Sequence, residues 1–208
     1  MRWRQSQPNS VQTYVPVLIW RAKSLGLGAG EAVDIRTQSE LDQKRVEALV
    51  SLSFPDAHAG RAVWKLRPGK PIDELCLVAS DYRNIVGSLR FWEITVAGRP
   101  QLLLGPLAIL PEVKGRGFGR ALVSDGLRRA EQMRRWSFVI LSGDAEYYKR
   151  FGFTEAETGR FIWPGPLAPN KLLTRPLKRK QEDTHLPGPM ALMPHLDLTP
   201  NPNRQSEI

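Results

Sequence analysis

The sequence predicts an α/β (α+β) fold, a mixed central sheet with helices on both faces, and three observations carry that prediction. Apolar runs of strand length recur at 74–79, 85–96, 102–110 and 137–141. A single well-patterned amphipathic helix, Gly119 to Arg135, lies between the last two. Lys114-Gly115-Arg116-Gly117-Phe118-Gly119-Arg120 joins strand to helix without room for any other element.

Taken in order, Ala32 to Arg36 reads as the first strand and about Glu40 to Ser53 as the first helix. A substrate-side segment continues through Pro71, followed by strands Glu74 to Ala79 and Ile85 to Val96. Gly98-Arg99 makes a hairpin into Leu102 to Leu110, an internal strand that Pro111 ends by removing a ladder donor. In the next helix Leu122, Val123, Leu127, Ala130 and Met133 fall towards one side, while Asp125, Arg128, Glu131 and Arg135 lie elsewhere. Strand Ser137 to Leu141, a short tyrosine-bearing helix and a closing strand after Gly152 complete the order. No internal repeat is evident.

The glycine turn is suited to phosphates. Three glycines at alternate positions let the backbone approach a ligand with no Cβ in the way, so that successive amides point at one anion. The following helix adds its positive end. A Walker loop requires Gly-x-x-x-x-Gly-Lys-Ser/Thr, which is absent. A Rossmann turn requires Gly-x-Gly-x-x-Gly/Ala, and here Arg120 or Leu122 stands at the last position. Past the second apolar strand comes Gly143-Asp144-Ala145-Glu146-Tyr147-Tyr148-Lys149-Arg150-Phe151-Gly152-Phe153.

With Lys114, Gly117 and Gly119 in the places of Gln/Arg-x-x-Gly-x-Gly/Ala, the turn resembles the pyrophosphate loop of the GNAT superfamily of N-acetyltransferases. Lysine at the first place departs from the pattern but keeps a donor there. The later segment resembles the superfamily's second signature, a short helix ending in Tyr-x-x-x-Gly-Phe. Together with Leu104 to Glu112, these motifs look like the YhbS-type branch of predicted bacterial N-acetyltransferases, with looser agreement from about Val33 to Leu177.

The resemblance implies the GNAT acyl-CoA N-acyltransferase fold, with acetyl-coenzyme A as cosubstrate and an amine-bearing molecule as acceptor. It implies that the backbone of Leu107, Ala108 and Ile109 pairs with the pantetheine arm. Lys114, Gly115, Arg116, Gly117, Phe118, Gly119 and Arg120 would hold the pyrophosphate. Tyr148 would protonate the departing thiolate, a role that suits a phenol with an ordinary pKa of about 10 because it keeps its proton at neutral pH. Its alternative is simple packing on the sheet, which is also the reading for Tyr147. For the base that serves the amine, Asp144, Glu112 and Glu93 are candidates, and Asp144 can equally cap the helix that follows it. His58 lies where substrate contacts occur, although a lone loop histidine is ordinarily solvated. The acceptor pocket is expected from about Phe54 to Pro71 and from Phe161 to Leu173, neither of which carries a signature for a particular amine.

Composition bounds the remainder. At 208 residues and 41% hydrophobic the chain suits one domain with tails, divided here as 1–30 (basic flexible extension), 31–177 (N-acetyltransferase domain) and 178–208 (charged, Pro-rich flexible tail). No acidic residue precedes Glu31, so the first segment is a disordered extension or a targeting sequence. The single Cys76, inside an apolar run, excludes an internal disulfide and points to a reducing, cytoplasmic compartment. No metal-ligand spacing is present, and no apolar run approaches the roughly twenty residues that span a bilayer. The formal charge of +9 attracts anions, the cosubstrate included. The basic residues, among them Arg67, Arg116, Arg128, Arg135, Lys171 and Arg175, are spread without a nucleic-acid module. A non-catalytic acyl-CoA sensor and a basic RNA- or ribosome-associated module are the alternative classes, and the assembly is a monomer or a homodimer.

Overall fold

The computed structural model describes residues 33–54, 62–81, 84–168, 170–177 and 189–195. The expected extension 1–30, most of the expected tail and His58 lie outside the described residues. The chain runs β1 (Asp34–Thr37), a 3-10 turn Glu40–Asp42, α1 (Gln43–Ser53), 3-10 turns Ala62–Leu66 and Asp73–Leu75, then β2 (Leu77–Asp81), β3 (Asn84–Val96) and β4 (Arg99–Ile109). It continues through a 3-10 turn Pro111–Val113, α2 (Phe118–Met133), β5 (Phe138–Ser142), α3 (Ala145–Lys149), β6 (Thr154–Glu155), β7 (Phe161–Ile162), β8 (Leu172–Pro176) and β9 (Met190–Pro194).

The sheet order is β1-β2-β3-β4-β5-β8-β6, antiparallel except where β5 joins β4 in parallel. That parallel pair follows from the strand–turn–helix–strand order, because a helix crossover returns the chain in the same direction. One face of the sheet takes α2, which buries Phe118, Ala121, Leu122, Val123, Leu127 and Ala130 against Leu77, Leu89, Phe91, Leu102 and Val139. The other takes α1, whose Val46, Leu49 and Val50 meet Val78 and Ala108, and a second cluster around Trp92, Ile94, Leu103 and Ile140. Alternation along β3 and β4 sends successive side chains to opposite layers, which is why both faces read as apolar in the sequence.

Three differences from the sequence reading have local causes. The β3–β4 hairpin turns at Ala97-Gly98, both with positive φ (49° and 74°), and Arg99 already pairs with Val96. Glu74 and Leu75, placed in a strand by continuity with the apolar run, belong to the 3-10 turn Asp73–Leu75, and the strand begins at Leu77. Met190–Pro194, expected in the flexible tail, forms β9: it pairs with β3 and β7 and buries Met190 and Leu192 in the Trp92 cluster. Only two inward apolar residues were needed to dock it, a signal too short to stand out in a Pro-rich stretch.

Candidate active site

The glycine turn leaves β4 through the Pro111–Val113 turn and reaches α2 through two residues with positive φ, Gly115 (85°) and Gly117 (93°). Left-handed backbone here explains the glycines, since an L side chain is strained at both. Gly117 is the N-cap of α2, its carbonyl accepting from the Ala121 amide at 3.0 Å. The amides of Phe118, Gly119 and Arg120 precede any intrahelical acceptor. Gly119 serves close approach: a Cβ there would stand 2.7 Å from the Tyr147 hydroxyl.

Beside the turn lies a cavity of about 420 Å³ lined by Lys114, Gly115, Gly117, Arg120, Tyr147 and Arg150 among others. It gathers three cations and, among its described lining, no carboxylate. Nothing lies within 4 Å of where a Gly115 Cβ would be. An open cradle, three cations and a helix N-terminus fit a pyrophosphate. Arg116 turns away from this cavity: its guanidinium pairs with Asp81 at 3.0 Å and lies 5.4 Å from the Phe118 ring centroid. Phe118 is buried in the α2 core and anchors the turn while its edge lines the cavity.

A second cavity opens where β4 and β5 part. The two strands pair only at Leu102–Val139 and Leu103–Ile140. Beyond this, β4 carries a bulge, its register against β3 stepping from Leu104–Phe91 to Leu107–Leu89, with Gly105 at φ 113°. From Leu104 to Ile109 the β5-facing edge of β4 has no strand partner among the described residues. This stretch holds Leu107, Ala108 and Ile109; Ala108 is buried against α1, whereas Leu107 and Ile109 pack towards the α2 layer. The cavity, about 560 Å³, is bounded by Leu104–Leu107, by Ser142, Gly143 and Tyr148, and by residues of 62–67 and 163–171. It shares Phe54 and Leu107 with the loop cavity, so the two adjoin along β4.

Tyr148 reaches this cavity from the last turn of α3. Its ring meets Tyr147 edge-on at 4.9 Å and Phe153 at 5.6 Å. Burial lifts the phenol well above its ordinary pKa, Tyr147 adds to the rise, and the Arg67 charge opposes it. Asp144 is the N-cap residue of α3 but makes no side-chain capping bond, and it pairs with Lys171 at 3.7 Å on the exposed side. It does not line the cavity. Glu93 is engaged elsewhere, accepting from Trp136 Nε1 at 2.7 Å and paired with Arg135 and His195, each at 3.2 Å. Glu112 is exposed on its 3-10 turn and lines neither cavity. Geometry thus brings Tyr148 to the β4 splay and Lys114, Gly115, Gly117, Gly119 and Arg120 to one cradle, and leaves Asp144, Glu93 and Glu112 outside.

Two residues that line the cavities were not legible as such in the sequence. Tyr147, read as sheet packing, lays its hydroxyl over Gly119 and lines the loop cavity. Arg67, one of many dispersed basic residues, lines the larger cavity with its Nε shut from solvent and without a hydrogen bond. Nothing local distinguished either, because both placements are set by tertiary contacts.

This fold and site define a class. Residues 73–155 match the Acetyltransferase (GNAT) domain family, so that this stretch of the chain is a GNAT N-acetyltransferase domain. The chain is similar to the uncharacterized N-acetyltransferase YhbS of Escherichia coli K12, to which it is 29% identical over 135 residues, covering 63% of this chain and 80% of that one. The crystal structure of E. coli YhbS in complex with CoA superimposes with a TM-score of 0.63 at 26% identity, over 78% of this chain and 89% of that chain. A GNAT acetyltransferase from Brucella melitensis, solved in complex with acetyl-CoA, shares the fold at TM-score 0.51 and 24% identity, over 69% and 96% of the two chains. Among the described residues no helix is long and apolar enough to cross a membrane.

Proposed function

We propose that this chain moves the acetyl group of acetyl-coenzyme A to a primary amine by direct transfer. The observation that carries the reading is the pair of adjoining cavities along β4. One has a cationic glycine cradle; the other has a phenol kept protonated at the point where β4 and β5 part. The CoA complex of YhbS supports the same assignment of the cosubstrate. Acetyl-coenzyme A supplies a thioester, whose acyl carbon accepts the amine nitrogen while its sulfur leaves.

The chain's own groups divide the work. Lys114, the backbone of Gly115 to Gly119 and Arg120 hold the pyrophosphate, with Arg150 adding charge. The unpaired edge of β4 from Leu107 to Ile109 offers main-chain donors and acceptors to an extended amide-bearing arm, as a strand would. Tyr148 gives its proton to the departing sulfur and regains one from solvent. No carboxylate lines the larger cavity among its described residues, so the amine's proton leaves to water. Asp144 acts at the rim by holding Lys171. Because Cys76 is buried and burial pushes its thiol up to about 11, it is an inert packing residue, in keeping with the proposed cytoplasmic location.

The test is release of free thiol from acetyl-coenzyme A by the purified protein, followed colorimetrically across a panel of primary amines. Amine-dependent release is expected; hydrolysis at one rate whatever amine is added would contradict transfer.

A further inference from the structure

Arg67 is a cation whose charge no described residue in its surroundings matches. It lines the larger cavity, its Nε is buried without a hydrogen bond, and it forms no ion pair among the described residues. Its guanidinium carbon lies 5.0 Å from the ring centroid of Trp64 and 5.1 Å from that of Trp92. Contact with two indoles holds the guanidinium in place, and its N–H groups remain its means of binding an anion. One terminal nitrogen stands 3.2 Å from where a Gly105 Cβ would be, which places it at the β4 bulge. Burial pushes its pKa down to about 9, yet a guanidinium stays charged at neutral pH. Lys171, the cavity's other cation, already has Asp144 as partner. No aspartate or glutamate is among the described lining, while Phe54, Val63, Trp64, Trp163 and Leu167 give apolar walls.

A buried, oriented and unmatched guanidinium is costly unless a ligand supplies the anion. The anionic donor has its own cations in the loop cavity, some way along β4. We infer that Arg67 is the receptor for a carboxylate on the acceptor, so that the amine acetylated here belongs to a carboxylated molecule such as an α-amino acid with an apolar side chain. This rests on the acetyltransferase reading above. Polyamines are disfavoured on the same ground, because a second ammonium would meet Arg67 with no carboxylate to offset it.

The experiment compares kcat/KM for matched acceptors that differ only in the carboxylate: L-phenylalanine against 2-phenylethylamine, and L-leucine against isoamylamine. The wild type should prefer the amino acid by roughly tenfold or more, the size expected for a charge-assisted bidentate contact. In Arg67→Gln that preference should vanish through KM, with Arg67→Lys retaining part of it. Acetyl-coenzyme A should still raise the melting temperature of both variants, which shows that they are folded. Competition by N-acetyl-L-phenylalanine, measured as binding and lost in Arg67→Gln, reads the same contact without turnover. Turnover of amines without preference for the carboxylate would overturn the inference and leave the acetyltransferase reading standing. A preference for succinyl- over acetyl-coenzyme A that depends on Arg67 would also overturn it, by assigning the carboxylate to the acyl group. Absence of acetyl-coenzyme A binding and of turnover with every amine would remove both.

Discussion

At Tyr148, environment rather than identity suits a side chain to the proposed chemistry. A phenol enclosed by Tyr147, Phe151 and Phe153 has its pKa raised by burial, so the protonated form persists far above neutrality. Tyr148→Phe should therefore lower kcat about a hundredfold while leaving acetyl-coenzyme A affinity within about twofold, as steady-state kinetics and calorimetry would show. The sign of the shift also fixes a pH profile. The rate should rise with pH as the acceptor amine loses its proton, and kcat should show no falling limb from Tyr148 up to about pH 9. A fall beginning near neutrality would contradict a proton donor of this kind. The place of Tyr148 beside the cavity was legible because it follows motif register. Arg67 was not: in Lys65-Leu66-Arg67-Pro68-Gly69-Lys70 it reads as one more solvated loop cation, and only packing against Trp92, 25 positions away, makes it unlike the others.

Elements position these residues through two departures from regularity, the glycine turn and the β4 bulge. The turn could be read only in context, since alternate glycines between a strand and a helix also make a plain connection and it is the later Tyr-x-x-x-Gly-Phe segment that sets this turn apart. The bulge could not, because Leu104-Gly105-Pro106-Leu107 looks like an interrupted apolar run, and the parting of β4 from β5 is set by tertiary pairing. Long, strongly patterned elements were legible for the same reason that they are stable: β3, β4, β5 and α2 each present an apolar face over several residues. Short ones such as β6, β7 and β9 owe their existence to neighbours. Gly105→Ala should cost about 1–3 kcal/mol in denaturant unfolding, from a side chain at φ 113° and the 3.2 Å approach to Arg67. It should also raise the acceptor KM more than that of acetyl-coenzyme A. An unchanged stability would show that the bulge relaxes freely and does not fix Arg67.

On the scale of the whole molecule, a sheet that parts in its middle presents a strand edge from within, with helices of both layers closing around it. The net charge of +9 is consistent with an anionic cosubstrate, and Lys114, Arg120 and Arg150 concentrate part of it at the turn. The central claim is that this turn and the adjoining edge of β4 hold acetyl-coenzyme A. It is tested most directly by calorimetric titration of the wild type and of Gly117→Glu with acetyl-coenzyme A, set against ATP and NADH at equal concentration. Glutamate at φ 93° would be strained and would set a negative charge in the cradle. The account predicts binding of acetyl-coenzyme A that neither nucleotide matches and that Gly117→Glu abolishes in a still-folded protein. Equal binding of all three ligands, or acetyl-coenzyme A affinity retained in Gly117→Glu, would contradict it.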